Sequence, residues 1–202
     1  MGPNLTRLLI NITFMAERLV ILSDMWGAKK GLWITSYLGY LQQYFDIVFY
    51  DIRQLSDVNL ISNTAEDVYE AFNNGGMNTA LAQLLIKETE ESHYLTFCAG
   101  GTIAWNAGLC GLPIKSLTAI SPLNIHLLKD KPDCKINLLY GEYQDGKPTP
   151  EWLSEMDVNM EIMPNFGREL YSDDKVIQKV CMDLLDALLK NKLSFKKRPL
   201  VS

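Results

Sequence analysis

Tyr94-Leu95-Thr96-Phe97-Cys98-Ala99-Gly100-Gly101-Thr102 is an apolar run that ends in a cysteine and then in residues small enough for a very tight turn. A strand that reverses into a helix within a few residues holds the residue at its tip at strained backbone angles, so the positions two before and two after it must be small. Thr96, Cys98 and Gly100 fill the places of that small-x-nucleophile-x-small pattern, with cysteine where serine is usual and threonine a poor substitute for glycine. Ile103-Ala104-Trp105-Asn106-Ala107-Gly108-Leu109 follow with the small and apolar spacing of a helix packed closely on a sheet. Two readings stand side by side: a nucleophile elbow, or a buried cysteine ending a core strand before a glycine turn, since free cysteine is often buried.

On either side of this stretch, apolar runs of strand length alternate with amphipathic segments of helix length, the pattern of an α/β protein whose mostly parallel sheet carries helices on both faces. Leu19-Val20-Ile21-Leu22 predicts a strand ending at Ser23-Asp24-Met25-Trp26-Gly27, preceded by an antiparallel strand within residues 7–14. A helix is predicted over 33–44 and a strand over 45–50, closed by Asp51-Ile52-Arg53. Helices over 65–72 and 78–89 come next, separated by Asn73-Asn74-Gly75-Gly76. Beyond the elbow the reading gives strands over 114–120, 136–140 and 159–162, with a short helix at 151–156. Val176, Val180, Cys181, Leu184, Leu185, Leu188 and Leu189 then form the apolar stripe of a closing helix.

A chain of 202 residues, 48% hydrophobic and 21% charged, reads as one domain over 1–202 with no linker or low-complexity run. Its apolar runs are too short and interrupted to cross a bilayer, and residues 5–15 lack the features of a secretory leader, so a soluble cytoplasmic protein is expected. Cys98, Cys110, Cys134 and Cys181 are widely spaced and the two histidines stand alone, which suggests neither zinc, disulfides nor any cofactor. A net charge of −5, with Lys196-Lys197-Arg198 the one basic cluster, argues against nucleic acid. The expected partner is a small molecule, and the sequence does not fix an oligomeric state.

With the elbow set in this order of strands, residues 18–190 resemble the α/β-hydrolase fold, a three-layer sandwich. Leu19 to Gly27 resembles the strand and oxyanion loop, with Ser23-Asp24 where a His-Gly pair is frequent, and Asp51-Ile52-Arg53 resembles the Asp-x-Arg after the next strand. Gly141-Glu142-Tyr143-Gln144-Asp145 resembles the acid loop, and Met163-Pro164-Asn165-Phe166-Gly167-Arg168 the loop that ends in the catalytic histidine. The short stretch between the strands at 114–120 and 136–140 leaves no room for a helical lid.

The resemblance implies acyl transfer by a nucleophile, an acid and a histidine in that chain order. It assigns Cys98 as nucleophile, with a thiol pKa lowered by the following helix N-terminus, and the backbone N–H groups of Ala99 and Met25 as oxyanion donors. The acid normally stands three residues after the glycine, where this chain has Gln144. Asp145 is one residue later and needs a bulge to take the place; otherwise it belongs to an exposed turn. Arg168 replaces the histidine and, always protonated, cannot take the thiol proton, though it can stabilise a thiolate or hold a carboxylate. His126, on the correct edge, is the candidate substitute base; His93, on the opposite edge, reads as a surface residue. Asp24, Trp26, Arg168 and Phe166 are assigned to substrate binding. Trp33, Tyr50 and Trp105 are further aromatic candidates, with Trp105 read as core. Two functions follow: a hydrolase of esters or thioesters built on Cys98 with an incomplete triad, or a catalytically inactive protein of this fold that binds a small acyl ligand or a protein partner.

Overall fold

Leu19 and Ile21 bury themselves on one side of their strand while Val20 and Leu22 bury themselves on the other, and this period-two split recurs along the sheet. The computed structural model describes residues 16–27, 31–58, 60 and 64–196. Six strands pair in parallel throughout: β1 (Glu17–Leu22), β2 (Phe45–Tyr50), β3 (Ser92–Phe97), β4 (Ile114–Ile120), β5 (Lys135–Gly141) and β6 (Asn159–Met163), in the spatial order β2-β1-β3-β4-β5-β6. All-parallel strands need both faces covered. Helices α1 (Trp33–Leu41) and α7 (Asp174–Lys196) pack together over one face, against Leu19, Ile21, Leu95, Phe97, Ile120 and Leu139. Helices α2 (Ile52–Ser56), α3 (Ala65–Ala71), α4 (Met77–Lys87), α5 (Ala99–Leu109) and α6 (Pro150–Met156) carry the apolar cluster on the other face. The result is a three-layer α/β sandwich.

The expected strands over 45–50 and 114–120 have the observed bounds, and the other described strands differ by one or two residues at an end. Helix α2 has no counterpart in the sequence reading: five residues are too few for a helical period, and the signal is Asp51 as N-cap, whose carboxylate accepts from the Arg53 N–H at 2.9 Å. Residues 73–76 are a kink rather than a gap between α3 and α4, with Gly75 at φ 118 carrying the bend. The closing stripe holds for Val176, Val180, Cys181, Leu184 and Leu188, with Ile177 added, while Leu189 is exposed. His93 is not a surface residue: it is buried at the start of β3, 2.7 Å from Ser116 Oγ, and that burial holds its pKa below the usual imidazole range. The expected antiparallel strand at 7–14 lies outside the described residues.

The chain leaves β1 toward β2 on one side and returns to β3 on the other, with α1 and α5 on opposite faces. Such a reversal opens a crevice beyond the C-terminal ends of the two central strands, where ligands bind in open α/β sheets. Asp24 follows β1 and Cys98 follows β3, so both stand at that point. Between β4 and β5, residues 121–134 hold only a short 3-10 turn, Ile125–Leu127, and no helical lid.

Candidate active site

Cys98 occupies the sharp turn between β3 and α5 with φ 49 and ψ −122, a conformation that costs a non-glycine residue about 1–3 kcal/mol. Two backbone hydrogen bonds hold it there. Its N–H donates to the Ile120 carbonyl at 2.9 Å and its own carbonyl accepts from Gly101 N–H at 3.0 Å. The small residues after it are sterically required. A Cβ on Gly100 would lie 2.6 Å from the Ser23 carbonyl oxygen, and one on Gly101 would lie 2.8 Å from Pro122 Cβ. Thr96 replaces the usual glycine, and its hydroxyl reaches the Thr118 carbonyl of β4 at 3.3 Å.

The backbone N–H groups of Ala99 and Met25 lie near enough to the Cys98 sulfur to favour the thiolate, and the nearby charge of Arg168 acts the same way. Burial and the Asp24 carboxylate oppose them. Cys98 is only 3% exposed, and desolvation first, then Asp24, push its thiol up to about 11. The lowered pKa expected from the helix N-terminus is therefore overturned, because the amides act in the expected direction but the loss of water outweighs them. At neutral pH roughly one molecule in ten thousand carries the thiolate.

Asp24 is 4% exposed, and among the described residues no cationic donor reaches its oxygens. Oδ1 accepts from the N–H groups of Trp26 at 3.0 Å and Gly27 at 3.1 Å, and Oδ2 from the Tyr171 hydroxyl at 3.1 Å. Desolvation pushes its carboxyl up to about 6; those three hydrogen bonds pull the other way, and the charge of Glu169 adds to the rise. Burial, with the same contact, drives the Tyr171 hydroxyl far above the usual phenol range. Gly27, at φ 72, sits so close to Asp51 that a Cβ would lie 2.7 Å from its carboxylate, and Arg53 reaches the Trp26 carbonyl at 3.5 Å. The Asp51-Ile52-Arg53 turn thus braces the loop that carries Asp24 and Met25.

The acid loop contains no bulge. Gln144, not Asp145, turns inward: Gln144 is buried, Asp145 is exposed, and Gln144 N–H closes a turn onto the Gly141 carbonyl at 3.2 Å. Ser121 Oγ stands 2.7 Å from both Gln144 Oε1 and the Arg168 carbonyl, while Gln144 Nε2 is buried without a partner. One hydroxyl proton cannot serve two acceptors. With the amide turned over, Nε2 donates to Ser121 and Ser121 donates to Arg168, which satisfies all three groups. In either orientation the acid position holds a neutral amide.

His126 does not join this group. It sits half-buried on the 3-10 turn, its ring edge 3.5 Å from where a Gly146 Cβ would stand, with Nδ1 buried and unpartnered. Its placement follows from Asn124, whose left-handed φ of 52 sends the chain into that turn. Arg168 is on the correct edge, and its charge reaches Cys98 and Tyr140, but its side chain is exposed and does not line the cavity. Phe166 does not line it either: it packs partly buried on the α1–α7 side of the sheet. Tyr50 bonds Glu88 at 2.6 Å, and Trp105 is fully buried with Nε1 on the Asp130 carbonyl.

What opens to solvent here is a cavity of about 430 Å³ walled by Asp24, Trp26, Trp33, Glu169, Tyr171 and Ser172. Cys98 does not line it, whereas Asp24 and Tyr171 belong both to its wall and to the surroundings of the Cys98 sulfur. Trp33 is held by edge and tilted contacts to Phe97 at 4.6 Å and Tyr171 at 4.8 Å between ring centroids. A larger cavity of about 590 Å³ lies at the starts of β3 to β6 under the end of α7, the opposite edge from the elbow. Among the described residues no cluster of histidine, cysteine and carboxylates is placed to hold a metal ion, and no helix is long and apolar enough to cross a membrane.

No family model matches this sequence, and no curated protein matches it. Solved structures do. Est1E from Butyrivibrio proteoclasticus, in a structure with ferulic acid bound, superposes with a TM-score of 0.60 at 10% identity, over 87% of this chain and 89% of that one. The naproxen esterase (carboxylesterase NP) from Bacillus subtilis gives 0.54 at 13%, over 86% and 84%. A predicted CIB-like hydrolase from Thermoplasma acidophilum gives 0.59 at 16%, over 85% and 86%. The chain therefore has the α/β-hydrolase fold, and the structures it resembles are hydrolases and esterases.

Proposed function

We propose that this chain is a catalytically silent protein of the α/β-hydrolase fold, whose elbow mouth binds a small ligand. The observation that carries this reading is the state of Cys98: a sealed thiol raised to about 11, with Gln144 in the place of the acid and Arg168 in the place of the base. Among the described residues the buried carboxylate near the sulfur is Asp24, at about 6. Moving the thiol proton to it is uphill, because burial holds the thiol far above the carboxyl. Fold alone does not supply an activity.

A second reading, hydrolysis of an ester or thioester through Cys98, is favoured by one feature: the strained elbow persists, with the Ala99 and Met25 amides converging on the sulfur. The two readings part on covalent chemistry. We expect no turnover of p-nitrophenyl acetate or an activated thioester above that of Cys98→Ala, and no acylated species by intact-mass spectrometry. Turnover that Cys98→Ala abolishes, or a stoichiometric acyl adduct on Cys98, establishes the hydrolase instead.

A further inference from the structure

The cavity at the elbow mouth has an unusual wall for an acyl site. Its charged groups among the described lining residues are two carboxylates, Asp24 and Glu169, and its largest apolar surfaces are two half-buried indoles, Trp26 and Trp33. A free acid or phosphate entering here meets like charge from these described residues. The three hydrogen bonds on Asp24 come from two backbone amides and a phenol, all neutral, so its negative charge is solvated but not balanced by them. Aromatic faces and buried negative charge together are the chemistry that recognises an organic cation, since the indole quadrupole and the carboxylates attract the same charge and the alkyl groups replace water at the ring.

We infer that this cavity takes an organic cation, an alkylammonium group seated against the indoles of Trp26 and Trp33 with its charge toward the carboxylates of Asp24 and Glu169. The inference rests on the reading of the elbow mouth as a ligand site and names what that ligand must carry. Trp33 is held in place by Phe97, Tyr37 and Tyr171, and Gly31 abuts its indole nitrogen, where a Cβ would stand 2.4 Å away. The cavity, about 430 Å³, is roomy enough for a quaternary ammonium group with a short chain.

The test is isothermal titration of the full chain with choline and, separately, with its uncharged carbon isostere 3,3-dimethylbutan-1-ol. Choline is expected to bind at least about tenfold tighter than the isostere, with Trp26→Leu and Glu169→Gln each weakening choline about three- to thirtyfold. Glu169 is exposed and its substitution conservative, so Glu169→Gln and the isostere comparison carry the test if Trp26→Leu does not fold. Equal binding of the two compounds, reduced by Trp26→Leu, overturns the cation and leaves the ligand site standing. Choline binding that neither variant weakens puts the compound elsewhere and also overturns the inference. No binding of either compound to the folded protein overturns the inference and removes the support this cavity gives to a ligand site.

Discussion

Replacing Asp24 by asparagine isolates the electrostatic cost at the centre of the site. The new side chain keeps an oxygen for the Trp26 and Gly27 amides and loses the charge, while its amide nitrogen faces the Tyr171 hydroxyl. The Asp24 carboxyl is raised from an ordinary 3.8 to about 6 in the fold, so the folded protein binds that proton more tightly than the unfolded chain. Below about pH 4 the group is neutral in both states and nothing is lost. As pH rises from there through about 6, folding must ionise it against burial, and stability falls by roughly 3 kcal/mol, about two units at 1.36 kcal/mol each. The re-pairing of Tyr171 offsets about 1 kcal/mol of the gain on removing the charge. Asp24→Asn should therefore be about 2 kcal/mol more stable than the parent at pH 7.5, and well below pH 4, where only the loss at Tyr171 remains, about 1 kcal/mol less stable. Urea unfolding of both proteins at several pH values reads the difference, and the other titrating groups cancel in it. A difference that does not change with pH, or a variant less stable than the parent at pH 7.5, would mean that burial of the Asp24 charge does not destabilise the fold.

Gly100→Ala places a Cβ 2.6 Å from the Ser23 carbonyl, a backbone atom that cannot step aside, so the variant should lose about 1–3 kcal/mol or more in thermal or urea unfolding. Ser121→Ala removes the hydroxyl that ties Gln144 to the Arg168 carbonyl and leaves both groups short of a partner; it should cost about 1–3 kcal/mol and raise hydrogen exchange at Gln144 and the residues after β6. Tyr171→Phe removes a neutral donor from Asp24 and should raise the carboxyl further, read as an upward shift of its titration by carbon-detected NMR.

The layered fold is legible in the sequence because its signals are local and redundant. The unbroken apolar run from Leu19 to Leu22, the small residues at Gly100 and Gly101, and the stripe from Val176 to Leu188 each mark one element, and their order names the architecture. The elbow is legible because Gly100 is pressed on Ser23 and nothing larger fits. The chemistry at the elbow is not, because a thiol pKa depends on how many atoms exclude water, and no motif encodes that. Asp145 escapes a sequence reading for a similar reason: whether a turn bulges by one residue is decided by the hydrogen bond between Ser121 and Gln144, a contact across 23 positions in the chain. Tyr171 and Glu169, which complete the cavity, lie after Arg168 in a stretch with no pattern to single them out. Asp24 and Trp26 stand where the resemblance expects an oxyanion loop, which singles them out as site residues but points to contact with an acyl group rather than with a cation.

In the function proposed above, Cys98 is a buried thiol and not a working nucleophile. The direct measurement of this is the rate of iodoacetamide alkylation at Cys98 between pH 7 and pH 11, resolved from the exposed Cys110 by peptide mass spectrometry under native conditions. The rate should climb with an apparent pKa of about 11, and Cys98 should label at pH 7.5 at least about a hundredfold more slowly than Cys110, from scarce thiolate and poor access together. An apparent pKa below about 8, with Cys98 labelled before Cys110 at neutral pH, would make Cys98 a reactive thiolate and not a sealed thiol.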